Sequence, residues 1–346
     1  MTPERLEELL QAMRSVKLAI VGDFFLDQYM IIDQKLSERS IETGLEAYQV
    51  VELRPSPGAA GSVSTKVAAL EVGTAYAVTM LGDDGNGYEL MRQLRAIGLR
   101  LEHVVQRTDR FTPTYGKPVV RRENGSEIEI NRIDVKNRRP LPAEVEAMIV
   151  GSIRSLADEV HGIIVIDQVE QRNCGVVSDA VREELVRLGR ERPELRIFAD
   201  SRSRIGAFRN IMLKPNIKEA AKALARQAEP ANGAEPVDAA AEMALKLAEA
   251  CGRAVFLTIG PGGIVAAHDG AAEHVPTYPV RGPIDTTGAG DTVTAGIVAS
   301  LCAGASIREA AEVGNLAASI TITQFGATGT ATQQQMRDRL AEAVKA

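Results

Sequence analysis

The chain has 346 residues, 45% of them hydrophobic and 25% charged, with a formal net charge of −6. That length can bury a large core, and the composition is that of an ordinary globular protein. Lys and Arg are scattered over an acidic background, which argues against nucleic acid or an anionic membrane as a partner. No run approaches the roughly 18 apolar residues of a membrane span. Met1-Thr2-Pro3-Glu4 lacks the charged and apolar regions of a signal peptide, so a cytoplasmic location is expected. Cys174, Cys251 and Cys302 are isolated in apolar or small-residue settings, and the histidines show no ligand spacing; neither a disulfide nor a zinc site is expected.

Thr2-Pro3-Glu4 reads as an N-cap, a first-turn Pro and an acidic first turn, and Leu6, Leu9, Leu10 and Met13 recur at helical spacing. Val16 to Val21 reads as a buried parallel strand ending in Gly22-Asp23. The carboxyl end of such a strand is where an open α/β sheet places ligands. Asp23 and Asp27 follow it at once. Two carboxylates there suit the vicinal hydroxyls of a sugar, although an Asx turn at Asp23 and a solvated Asp27 would use the same residues. Residues 28–54 and 112–134 alternate polar and apolar side chains, which predicts a small two-part sheet protruding from the main domain, or else two surface hairpins.

Between these segments, the small residues Ser56-Pro57-Gly58-Ala59-Ala60-Gly61-Ser62-Val63 lead into a helix over Ser64 to Leu70. Ala75 to Leu81 reads as a strand, and Gly82-Asp83-Asp84-Gly85-Asn86-Gly87 as turn chemistry before a helix from Tyr88 to Ala96. Strand Gly162 to Ile166 ends in Asp167-Gln168, helix Val176 to Arg187 follows, and strand Arg196 to Ala199 ends in Asp200-Ser201-Arg202. This order predicts an α/β fold with a doubly wound, mostly parallel central sheet and helices on both faces. Residues 1–346 read as one domain. The loop Gln227 to Val237 lies between helical segments and is not a boundary, and no internal repeat occurs.

Asn216 opens a helix after Lys214-Pro215, with Glu219 three residues on, which is the spacing of a capping box. Phe256 to Gly260 is a strand running into the turn Pro261-Gly262-Gly263. An extended segment then leads to Asp285-Thr286-Thr287-Gly288-Ala289-Gly290-Asp291 and an apolar helix from Thr292 to Cys302. Small residues at a helix start let unpaired N–H groups crowd onto an anion. An acid there would repel a phosphate unless it takes a proton from the group that attacks that phosphate, so the combination points to phosphoryl transfer to a hydroxyl. A Gly-rich turn with Asp291 favouring the helix dipole is the plain alternative. The chain has no G-x-x-x-x-G-K-[ST] and no G-x-G-x-x-G after a strand, which removes P-loop and dinucleotide readings.

D-T-T-G-A-G-D resembles the signature of the ribokinase-like (PfkB) carbohydrate kinases, and similar motifs follow the family's order over most of the chain. The resemblance implies a ribokinase-like fold with a small β lid, ATP and Mg²⁺ as cofactors, a monovalent cation such as K⁺, and a homodimer formed through the lid. It implies that the amides of Gly288, Ala289 and Gly290 cradle the transferred phosphoryl group beside Thr287, and that Asp291 is the base. Asn216 and Glu219 match the Asn-x-x-Glu motif that organises the metal and its waters. Gly260 and Gly263 resemble the nucleotide-proximal loop, Asn315 the helix lining the adenine site, and Gly326 the loop after it. Asp23, Asp27, Gly58 and Ser62 fall on the sugar side, where Ala59 stands at a usual Gly and Ser62 at a usual Asn. The acceptor implied is a sugar or sugar phosphate. Gly-Asp-x-x-x-Asp and Arg132-x-Asp134 are nearest in look to the heptose-7-phosphate kinases. Lys117 and Arg121 share one strand face and are expected either to hold a substrate phosphate, with Lys117 as anchor, or to form a solvated basic edge that discourages sheet-to-sheet aggregation. A nucleoside kinase stacking its base on Phe24, Phe25 or Tyr29 is one rival, and a non-catalytic carbohydrate-binding protein is another.

Overall fold

A computed structural model describes residues 1–122, 125–225, 237–325 and 329–345; most of the 227–237 loop and Gly326 therefore lie outside the described residues. Among these, nine strands form the central sheet. Their spatial order is Ala271–Val275, Ile264–His268, Val255–Thr258, Met212–Leu213, Arg196–Ser201, Gly162–Asp167, Lys17–Gly22, Thr74–Gly82 and Arg100–Arg107. From Arg100–Arg107 to Val255–Thr258 every neighbour is parallel, and the last two strands are an antiparallel hairpin. The alternation of a strand divides its side chains between two cores: Leu18 and Ile20 join one cluster, Ala19 and Val21 the other. Helices Pro3–Met13, Ala60–Ala69, Gly85–Ala96, Ala289–Cys302 and Ile307–Thr321 cover the first face. Helices Ala143–Ala157, Asp179–Glu191, Ile217–Ala223 and Val237–Cys251 cover the second. The expected doubly wound architecture is therefore the one observed.

The smaller sheet runs Val50–Ala59, Phe24–Ile32, Thr114–Arg121, Ile133–Val135, with Glu127–Glu129 also paired to Thr114–Arg121. It begins at Phe24, earlier than the alternating texture from residue 28 suggested, because Phe24, Phe25 and Leu26 are all buried and carry no alternation. One residue, Asp23, thus joins the central sheet to the smaller one. The chain turns there at Gly22, whose φ is 145° and whose Cβ, if present, would lie 2.1 Å from the Ile166 carbonyl oxygen. No side chain fits that crossing.

Side chains cap two of the early helices, the first of them as the sequence predicts. Thr2 caps the first helix, accepting from the Arg5 N–H at 3.2 Å, and Asp84 caps Gly85–Ala96, accepting from Gly87 at 2.7 Å while also holding the Thr112 N–H. Several helix boundaries differ: the helix expected from Tyr88 starts at Gly85, that expected over Val176 to Arg187 runs Asp179–Glu191, and that expected from Thr292 starts at Ala289. The helix expected from Ser64 starts at Ala60, because its tight entry is made by Ala59 at φ 51° and ψ −119°. Gly61, within its first turn, is required by packing, since a Cβ would meet that of Pro57 at 2.7 Å.

Ala59 occupies backbone space that favours glycine, so Ala59→Gly is expected to raise the thermal midpoint, corresponding to about 1 kcal/mol of relieved strain. A lower midpoint in thermal denaturation would mean that packing of the Ala59 methyl against the Phe25 cluster outweighs the strain.

Candidate active site

The helix Ala289–Cys302 is buried from Thr292 to Leu301, and its start opens at the carboxyl ends of the parallel strands. Gly288 enters it at φ 75°, and no side chain caps it. Asp285 fastens the preceding turn, accepting from the Thr287 N–H at 2.9 Å and donating its own N–H to the Ile322 carbonyl at 2.8 Å. The Ala289 N–H is spent on the Thr286 carbonyl at 3.1 Å, so the expected cradle of three amides loses its middle member. Among the described residues the N–H groups of Gly288 and Gly290 have no such partner. Thr287 enters through its backbone, whose N–H is already taken.

Asp291 is half-buried beside this turn. Burial pushes its carboxyl above the ordinary range; Ser62, Lys66 and Lys214 favour the charged form, while Asp200 opposes it. Lys214 is almost completely buried and pairs with Asp200 at 2.8 Å, and Asp200 also accepts from the Thr294 hydroxyl at 3.2 Å. The Lys214 ammonium lies 3.6 Å from where a Gly290 Cβ would stand, which places the cation beside the helix start. Sequence reading gave no role to Lys214 or Lys66. Lys66 had a legible signal, since it stands between Val63 and Val67 on the buried side of its helix, where a charge is costly.

On the opposite side, Asp27 lies in the Phe24–Ile32 strand, aligned with Ser56 on one neighbouring strand and with Tyr115 on the other. Its Oδ2 receives the Lys117 ammonium at 2.8 Å, and Lys117 also donates to the Tyr29 hydroxyl at 3.0 Å. Its Oδ1 is buried without a hydrogen-bond partner, which is costly unless a ligand supplies a donor. A Gly58 Cβ would fall 2.5 Å from that same oxygen, so Gly58 keeps the carboxylate accessible.

Asp23 does not join it. The side chain is 3% exposed; Oδ2 accepts from the N–H groups of Gln168 and Val169 at 2.9 Å each, and Oδ1 from that of Val176 at 2.7 Å. Burial, and secondarily the charge of Asp167, push its carboxyl up to about 6 against those three bonds. Asp23 ties the 168–176 loop to the sheet junction, and the expectation that it orients a sugar is withdrawn. The cationic face expected from Lys117 and Arg121 also divides. Arg121 is exposed and held by Glu52 and Glu127, while Lys117 is neutralised by Asp27. Arg132 lies instead over the Tyr115 ring at 3.8 Å, with Lys136 at 5.3 Å, and the two cations share Asp134.

The nucleotide-side expectations meet along one edge. Asn216 and Glu219 form the capping box in full, with bonds of 2.8 and 2.9 Å, and Asn216 bridges to Thr258 immediately before the Gly260 turn. Gly260 takes φ 57°, and Gly263 takes φ 100° where a Cβ would lie 2.3 Å from the Val275 carbonyl oxygen. Asn315 is buried and donates to the carbonyls of Val275 and Pro276 at 2.9 and 3.1 Å. Its amide donors are spent on backbone, so it fixes the wall beyond the hairpin instead of meeting a base. Burial, then the Asp200 charge, raise the Glu219 carboxyl, and a nearby divalent cation would relieve both effects. Among the described residues no three His, Cys, Asp or Glu side chains form a metal-binding group, and no helix is long and apolar enough to cross a membrane.

The model of the pfkB family carbohydrate kinases matches residues 25–334. The protein is therefore a phosphotransferase with a hydroxyl acceptor. The chain belongs to the PfkB family and is a sugar kinase. It is 27% identical over 332 residues to the "Bifunctional protein HldE" of Geobacter metallireducens, covering 94% of this chain and 63% of that protein. It is 28% identical over 337 residues to the protein of the same description from Bradyrhizobium sp., covering 96% and 65%. The chain thus spans under two thirds of these relatives' length. Its fold is shared with ribokinase from Cryptococcus neoformans in complex with ADP, at TM-score 0.68 and 20% identity over 94% of this chain and 100% of that one. Escherichia coli phosphofructokinase-2 in complex with potassium gives TM-score 0.70 and 17% identity over 95% and 99%.

Proposed function

We propose that this sugar kinase transfers the γ-phosphoryl group of ATP to a sugar hydroxyl held between Asp27 and Asp291. The observation that carries the proposal is the pairing of a half-buried carboxylate, Asp291, with an uncapped helix start and the Lys214 ammonium beside Gly290. In this reading Asp291 takes the proton of the attacking hydroxyl, while the Gly288 and Gly290 amides and Lys214 stabilise the charge gathering on the transferring group. The unpartnered Oδ1 of Asp27 accepts from a neighbouring sugar hydroxyl and so fixes which hydroxyl faces the base. Asn216 and Glu219 would hold Mg²⁺ through its waters, supplying charge neutralisation at the phosphates. A monovalent cation such as K⁺ and a cytoplasmic setting belong to the same proposal; the ADP and potassium complexes of the structural neighbours support the nucleotide and the monovalent cation in kind only.

The neutral Asp27–Lys117 pair supports an acceptor whose bound part is uncharged. A second reading, a phosphorylated acceptor as in heptose-7-phosphate kinases, is favoured by Arg132 and Lys136, two cations sharing one carboxylate over Tyr115. ADP release measured on free sugars and on their phosphates separates the two. Of the aromatic side chains a nucleoside kinase would use, Phe24 and Phe25 are fully buried and cannot stack a base, which leaves that alternative only Tyr29, half-buried and bonded to Lys117.

Asp291→Asn is expected to lower kcat roughly 100- to 10,000-fold with ATP binding retained, the scale of losing a positioned base. In the wild type the acid limb of the pH–rate profile should lie above the ordinary carboxylate range, since Asp291 must be charged to act and its carboxyl is raised. Wild-type turnover by the variant would remove Asp291 from the mechanism.

Glu219→Gln keeps the capping geometry and removes the charge, so a higher Mg²⁺ requirement with an unchanged thermal midpoint is expected. Lost stability with normal Mg²⁺ dependence would leave only the cap.

The homodimer through the lid is proposed on the apolar side chains that the smaller sheet exposes, among them Leu53 at 58% and Ile133 at 59%. Sedimentation of the wild type should give a dimer that Leu53→Glu weakens; a monomeric wild type would end this reading.

A further inference from the structure

The helix that follows the small-residue turn buries a charge. Lys66 lies one helical turn beyond Ser62 on the Ala60–Ala69 helix, is 1% exposed, and donates to the Ser62 hydroxyl at 2.9 Å. Among the described residues it makes no ion pair. A buried ammonium whose only direct partner is a neutral hydroxyl is unfavourable for folding alone, because desolvating a charge costs several kcal/mol unless opposite charges compensate it. The carboxylates that compensate it come from two other elements. They are Asp291 on Ala289–Cys302, the helix against which Ala60–Ala69 packs, and Asp27 on Phe24–Ile32.

The environment of Asp291 is therefore set from three sides. Ser62 and Lys66 face it from the Ala60–Ala69 helix, Asp200 from the end of Arg196–Ser201, and Lys214 from beyond Met212–Leu213. Lys214 has Asp200 as a direct counterion at 2.8 Å, and Lys117 has Asp27 at 2.8 Å. Those two pairs are each close to neutral. Lys66 is the cation whose charge is left over for Asp291, with Ser62 between them.

We propose that Lys66, acting through Ser62, is a positioning residue that holds the Asp291 carboxylate charged and aimed at the acceptor hydroxyl. It adds a buried charge to the hydrogen bonding of Ser62, so the base stays ionised even as nucleotide phosphates bring further negative charge to the site. The inference rests on the reading of Asp291 as the proton acceptor. Burial alone drives a carboxylate toward its neutral form, and a neutral acid cannot take a proton.

The test uses Lys66→Met, which keeps length and suits the buried position, Lys66→Arg, which keeps the charge, and Ser62→Ala. Lys66→Met and Ser62→Ala are expected to move the acid limb of kcat/KM upward by about one pH unit, the scale of losing a nearby opposite charge. Lys66→Arg should return it toward the wild-type position, and KM for ATP should stay unchanged. An acid limb that coincides in Lys66→Met and wild type, or that moves equally in Lys66→Met and Lys66→Arg, would overturn the proposal. A second readout does not depend on turnover: the titration of the Asp291 carboxyl carbon, followed by NMR in protein labelled at aspartate Cγ and assigned with Asp291→Asn. Lys66→Met should titrate at higher pH than wild type, and identical titrations would overturn the electrostatic role even in an active enzyme. Should no sugar be phosphorylated by the wild type, the kinase assignment to this site fails on its own evidence, while the carboxyl titration still decides the part played by Lys66.

Discussion

The acceptor side of the molecule depends on the crossing at Gly22-Asp23. There the strand Lys17–Gly22 of the central sheet ends, and the next residue but one begins a strand of the smaller sheet, so the two sheets share a junction one residue long. Glycine is required because the Ile166 carbonyl passes too close for any side chain, and the Asp23 carboxylate locks the turn by taking three N–H groups of the 168–176 loop. A short, fully hydrogen-bonded joint transmits position well. It fixes where Asp27, four residues along, lies relative to strands that carry Asp200 and the helix that carries Asp291.

Around that frame the site is built from acids and lysines that alternate in space: Asp27 with Lys117, Asp291 near Lys66, Asp200 with Lys214. Each burial opposes the charge of the group buried, and each opposite neighbour restores it. Removing one member would therefore disturb its partner's ionisation as well as its own contact. Such a chain of compensated charges is costly for stability compared with apolar packing. Its retention in the interior is intelligible where phosphoryl transfer needs a carboxylate charged, a phosphoryl cradle cationic and water largely excluded.

Most of the architecture was legible because its signals are local. Buried β-branched runs, the Thr2 and Asn216 caps and the Gly-Ala-Gly-Asp turn each announce themselves within a few residues, and the helix and strand order follows from them. What was not legible depends on three-dimensional pairing. Asp23 and Asp27 look alike in sequence, yet one faces three backbone donors and the other Lys117, with one oxygen left unpartnered. Lys117 and Arg121 share a strand face, but the twist and the neighbouring strands hand one to Asp27 and the other to Glu52 and Glu127. The cradle amide of Ala289 looked free until the turn closed on it. Capping at Asn216 and Glu219 was readable, whereas the second use of the same acid depends on its distance from charges far away in sequence.

The segment from Gly58 to Lys66 shows how these constraints meet. Gly58 must be small to leave Asp27 accessible, Gly61 to let the helix lie on Pro57, and Ala59 must turn the chain at a φ that suits glycine better. The same nine residues then bury a lysine. Strain at the entry and a charge in the interior both lower stability, and both are tolerated because the dense packing of Ala60, Val63 and Val67 against the central core over-determines the helix position. A rigid helix is what a buried ammonium needs if it is to act at a distance, since a flexible one would let Lys66 snorkel to water and leave Asp291 without its opposite charge. Packing and electrostatics are thus one device in this segment: the apolar face holds the charge still, and the charge gives the otherwise unremarkable face its chemical use.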